Sequence, residues 1–192
     1  MAELSTRQRI LDGAGDLFFR QGYRAVGVDT IVKETGVAKM TLYRHFPSKD
    51  DLIVAYLEQV NQLLWEWFDQ AIEPHQGRPR EQLVAVFTAL EKLVKSPQCH
   101  GCAFMMAASE FPELDSPGHQ VAIAHKRAMW ERFRDLAQAA GARRPEVLAD
   151  QLLLLLDGSF AAVRMFGLDN PGANVREAAQ TLIDAQLPRE LS

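Results

Sequence analysis

Val28-Asp29-Thr30-Ile31-Val32-Lys33-Glu34-Thr35-Gly36-Val37-Ala38-Lys39-Met40-Thr41-Leu42-Tyr43-Arg44-His45-Phe46-Pro47-Ser48-Lys49 is the stretch whose reading decides the fold of this chain. It divides into two short helices, about 28–35 and 39–45, around a tight turn at Gly36-Val37-Ala38. The first helix turns Ile31 and Val32 inward. The second turns Leu42 and Phe46 inward, four residues apart, which leaves Lys39, Met40, Thr41, Arg44 and His45 on the outside. A glycine turn, a buried apolar pair and an outer face of hydrogen-bonding side chains make up a helix-turn-helix.

The chain on both sides of this stretch has helical periodicity. Upstream, Ile10, Leu11, Ala14, Leu17 and Phe18 form an apolar stripe, with Ser5 and Gln8 placed as a capping box and Gly22 as a stop. Downstream, Ser48 is placed to cap a long helix with Asp50 and Asp51 in its first turn, running to about Glu73. Further helices are expected at about 80–95, 101–111, 117–141, 145–167 and 174–186, the last capped by Asn174 with Glu177. No alternating strand pattern and no repeat is present, so the expected architecture is all-α with about nine helices.

The outer face of helix 39–45 suits the major groove of DNA, where base edges are read by donors, acceptors and methyl contacts. Arg44 and Lys39 can donate to guanine, and Thr41 can donate, accept or touch a thymine methyl. Lys49, the Tyr43 hydroxyl and helix-start N–H groups suit phosphates. The run Thr41-Leu42-Tyr43-Arg44-His45-Phe46-Pro47-Ser48-Lys49, preceded by Gly36-Val37, closely resembles the signature of the TetR family of regulators. Ala14, Leu17, Phe18, Gly22 and Tyr23 match that family's first helix. The specific match covers about residues 7–60.

The resemblance implies a two-fold dimer on a palindromic operator and repression relieved by a small molecule. It also implies a DNA-binding domain over residues 1–47 and a ligand-binding and dimerisation domain over 48–192. By position it puts Lys39, Met40, Thr41, Tyr43, Arg44 and His45 on the recognition helix and Lys49 at the phosphate-contacting start of the fourth helix. Two positions depart from the family pattern. Ala38 stands where a capping Ser is frequent, and Gly27 where Thr is frequent. Losing a Ser cap costs about 1 kcal/mol.

The charge distribution fits this reading. The whole chain has a formal net charge of −4. Residues 1–49 nonetheless hold eight Lys/Arg against five Asp/Glu, so the acid excess lies in the remainder. A basic end on an acidic body orients a molecule toward a polyanion. Two cysteines are too few for a disulfide framework. The opening residues show no basic segment followed by an apolar one, and the apolar run Leu152–Leu156 is far too short to span a bilayer. A cytoplasmic protein is expected.

In the C-terminal body, aromatic and methionine side chains are spread over several helices. Most must be core. A cavity between helices lined by Trp67, Phe87, Phe104, Met105, Trp130 and Phe160 would suit an apolar or aromatic ligand. The run Leu152–Leu156 followed by Gly158, Ser159, Ala161 and Ala162, together with helix 174–186, suits a dimer surface. Cys99-His100-Gly101-Cys102 lacks the further ligands of a zinc site, because His119 and His125 are six residues apart on one helix and point different ways. A thiol-based regulator using Cys99 and Cys102, and a constitutive DNA-binding protein with a filled core, are the alternatives. No nucleophile elbow, HExxH or Gly-rich phosphate pattern is present, so no enzyme, metal or cofactor is expected.

Overall fold

The computed structural model describes residues 5–187, in which nine α-helices and no strand are found. Met1–Leu4, where the leader was sought, lies outside the described residues. The helices are α1 Thr6–Gln21, α2 Val28–Thr35, α3 Lys39–His45, α4 Lys49–Ile72, α5 Pro79–Val94, α6 Ala103–Glu110, α7 Pro117–Ala139, α8 Pro145–Phe166 and α9 Val175–Gln186. Short 3-10 turns occupy Glu73–His75 and Pro171–Asn174. No helix among the described residues is long and apolar enough to cross a membrane.

The chain forms two compact units. The first takes in the described residues up to Leu63 together with Ala103–Ala124, and the second comprises Leu64–Cys102 and the described residues from His125 onward. Two of the three boundaries fall inside α4 and α7, and the third falls at the start of α6.

The first unit is held by a core of Ile10, Phe18, Tyr23, Ile31, Leu42, Phe46 and Leu52, each fully or almost fully buried. The rings of Phe18, Tyr23 and Tyr56 stand 5.4–6.2 Å from one another, the tilted spacing that aromatic quadrupoles favour. Helix starts explain the register. The Ser5 hydroxyl accepts the Gln8 N–H at 3.2 Å, which is one half of the expected capping box. The Gln8 side chain donates instead to Asp12 and Gln59. At α4 the box closes. Ser48 Oγ accepts the Asp51 N–H at 3.0 Å, and Asp51 Oδ2 accepts the Ser48 N–H at 2.9 Å.

The second unit is built on α5, α8 and α9, with Leu83, Val86, Phe87, Leu148, Leu152, Ala179 and Ile183 completely buried. Phe87 stacks on Phe133 with centroids 5.7 Å apart. Polar ties flank this core. Trp130 Nε1 donates to Asp150 at 2.8 Å, Arg80 pairs with Asp184 at 2.6 Å, and Lys126 pairs with Asp157. One expected cap is absent: the Asn174 side chain makes no capping bond, and the preceding turn Pro171–Asn174 leads into α9 instead.

Candidate nucleic-acid interface

The geometry of α3 follows from its ends. Gly36 lies at φ +65°, in the left-handed region, and its N–H closes α2 on the Val32 carbonyl at 3.0 Å. A residue with a Cβ would be strained there, so the sharp turn into α3 depends on glycine. Leu42 and Phe46 pin α3 to the core, and the Arg7 guanidinium lies over the Phe46 ring at 4.9 Å. At Gly27 and Ala38, the two departures from the family pattern, the helix starts have no side-chain cap.

With one edge of α3 buried, the other edge is presented. Lys39, Met40, Tyr43 and Arg44 are exposed, Met40 at 79%, while Thr41 and His45 are half-buried. Among the described residues nothing holds Arg44 by hydrogen bond or ion pair. Lys39 differs: its ammonium sits 2.8 Å from Asp29 of α2, and that hydrogen bond raises its pKa. An exposed pair of this kind contributes little, so the Lys39 ammonium is only weakly held.

Lys49 opens α4 half-buried. Burial draws its pKa down, and the carboxylates of Asp50 and Glu110 oppose that shift. Its ammonium is therefore already partly stripped of water.

Two residues of this region escape sequence reasoning, Asp29 and Glu110. Asp29 carried no signal, being ten positions from its partner. Glu110 did carry one. It is the last residue of α6, where the helix dipole disfavours a negative charge. A residue that breaks a local rule usually has a partner elsewhere.

The expected ligand residues divide between the units. Phe104, completely buried, and Met105, half-buried, belong to the first unit. Trp67, Phe87, Trp130 and Phe160 belong to the second, where Phe87 and Phe160 are core and both tryptophans are half-buried against it. Of the two cysteines, both free thiols, Cys99 is buried and its pKa is pushed up by that burial, away from a reactive thiolate. His119 binds the Phe111 carbonyl at 2.6 Å, whereas His125 is buried beside Trp65 in the other unit. Among the described residues no group of three His, Cys, Asp or Glu could hold a metal.

The family profile described as bacterial regulatory proteins, tetR family, matches residues 10–56. The HTH-type transcriptional repressor KstR of Rhodococcus jostii is 31% identical over 148 residues, 74% of this chain and 68% of that protein. The chain belongs to the TetR family of bacterial regulators. The HTH-type transcriptional regulator YjdC of Escherichia coli is 25% identical over 152 residues, covering 79% of this chain and 80% of that one. A TetR-family transcriptional regulator from Streptomyces coelicolor superposes with a TM-score of 0.84 at 30% identity, covering 94% and 93% of the two chains. This TetR-family chain is accordingly a DNA-binding transcriptional regulator.

Proposed function

We propose that this regulator is a homodimeric repressor that reads a palindromic operator through residues 39–49 and is released by a small apolar or aromatic effector. One observation carries the reading: on a single seven-residue helix, Leu42 is fully buried while Lys39, Met40, Tyr43 and Arg44 stand in solvent. Residues 1–47 form the reading domain in this proposal, and residues 48–192 serve dimerisation and effector binding, with the half-buried Trp67 and Trp130 facing the effector. Arg44 reads a base edge, and Lys49 and Tyr43 hold phosphates. The repressor sense is supported by the similarity over most of the chain to KstR, itself a transcriptional repressor.

The proposed dimer face is that of α8 and α9. A groove of about 520 Å³ there is lined by Leu154, Gly158, Ala162, Ala178 and Leu182, and Leu154 exposes 71% of its surface. Apolar side chains exposed beside an apolar groove suit the surface of a second subunit.

The test is a titration of duplexes enriched from a random pool by the full chain. Arg44→Ala should cost about 1–3 kcal/mol on the enriched site and relax base preference at one position. Lys49→Ala should weaken all sequences alike and lower the salt slope by about one per subunit. If both variants fold and bind as the parent does, the reading is wrong. Ala162→Arg should give monomers with poor operator binding, measured by sedimentation; a folded dimer would exclude this face.

A further inference from the structure

The turn between α1 and α2 is held from an unexpected direction. Both carboxylate oxygens of Glu110 accept main-chain N–H groups of consecutive residues: Oε1 from Tyr23 at 3.0 Å and Oε2 from Arg24 at 2.7 Å. Gly22, at φ +94°, makes this possible. A Cβ on that residue would lie 2.7 Å from Glu110 Oε1. Tyr23 also holds the opposite end of α6, its hydroxyl donating to the Ala103 carbonyl at 3.0 Å in a fully buried setting. One tyrosine thus lies along the eight residues of α6, fastened by its main chain at the last and by its side chain at the first. Next to it, the Arg24 guanidinium covers the Phe111 ring at 5.6 Å and approaches Glu113 at 4.0 Å.

We propose that Glu110 is a positioning residue for DNA recognition, whose carboxylate clamps the α1–α2 turn to α6 and so holds α2 and α3 in the arrangement that reads the operator. The proposal rests on the DNA-reading function proposed above. Hydrogen bonds to an ionised acceptor are about twice as strong as neutral ones, and here two converge on one turn. The turn directly precedes α2, which carries α3 through Gly36, so freedom gained at residues 22–24 becomes freedom of the reading helix. A binding-competent arrangement populated only part of the time weakens apparent affinity in proportion.

Charge alone predicts the opposite sign. Glu110 is an acid in a unit that binds a polyanion, and removing an acid should strengthen DNA binding. Glu113, three residues on and making only a long exposed contact with Arg24, offers the same charge change without the clamp.

The experiment uses the full chain and a duplex enriched by it, with anisotropy titrations at two salt concentrations. Glu110→Ala should weaken binding about tenfold and Glu110→Gln, which keeps one acceptor oxygen, about threefold, both with an unchanged salt slope. Glu113→Ala should bind as tightly as the parent or more tightly. Amide exchange at Tyr23 and Arg24 should accelerate in Glu110→Gln while α5 and α8 stay protected.

If Glu110→Ala does not fold, Glu110→Gln decides. Parent-like affinity in Glu110→Gln overturns the proposal, as does a folded Glu110→Ala that binds as tightly as the parent, or a Glu113→Ala that loses as much. Failure of the parent chain to enrich any duplex would instead bring down the DNA-reading function, and the proposal with it.

Discussion

The first unit divides its labour between neighbouring residues, whereas the second uses the same kinds of side chain throughout. At α3, Leu42 and the following Phe46 make the core, while Tyr43 and Arg44, directly after Leu42 in sequence, face solvent. In the second unit, leucines of α8 serve in every role. Leu152 and Leu156 are core, Leu153 and Leu155 are half-buried, and Leu154 is exposed. Function carried by polar groups at fixed spacing is separable from stability, but function carried by apolar surface is not. A mutation in the first unit can therefore abolish binding in a folded protein. In the core of the second unit, where the same leucine-rich surface carries stability, binding and folding should fall together.

The largest effect that would sharpen this contrast is at Phe87, which is fully buried and stacked on Phe133. Phe87→Ala should cost about 3–5 kcal/mol of stability in denaturant unfolding, through lost transfer energy and the cavity left behind. Arg44→Ala should leave the unfolding curve unchanged. Equal destabilisation by the two would break the comparison.

Acid provides the next lever, through His125, which is 5% exposed beside Trp65. Burial, with the Lys126 charge adding to it, lowers its pKa from 6.5 to about 3. The unfolded chain therefore takes up a proton between those values while the folded chain does not. This contribution is complete above about pH 6.5 and is lost as pH falls toward 3. Between pH 6.5 and 5 the loss should reach about 1–2 kcal/mol, before most carboxylates titrate. Unfolding titrations of the parent and of His125→Phe should differ in slope over that window, and parallel slopes would remove His125 from the account. The smallest expected effect is that of Tyr43→Phe on the exposed edge of α3. It should weaken DNA binding by less than about 1 kcal/mol, independent of sequence, by removing one phosphate hydrogen bond.

The sequence was legible where one residue type allows one role. Gly36, the Leu42–Phe46 pair and Ser48 gave the bounds of α2 and α3 and the start of α4, because a left-handed turn, a buried pair and a helix cap each depend on local chemistry. Distant contacts were not legible. The Lys39–Asp29 pair joins two helices ten positions apart, and Glu110 meets Tyr23 from 87 positions away. Asn174 misled for a related reason: a residue with capping chemistry takes another conformation when a 3-10 turn has already aimed the chain. Of the six aromatic and methionine positions expected to line a cavity, Phe104 and Met105 lie in the first unit and the other four in the second; apolar identity alone does not say which core a side chain joins.

The exposed stripe of α8, with Leu154 at 71% and Met165 at 76%, has a consequence for genetics. If two copies join through this face, subunits made together in one cell will mix. A chain with a ruined α3 and an intact α8 would then pair with normal chains and leave them with a single reading head. Such an allele, supplied in excess on a plasmid, would be dominant over the chromosomal copy. The same allele carrying Ala162→Arg would be recessive. A reporter strain could distinguish the two without purification of either protein.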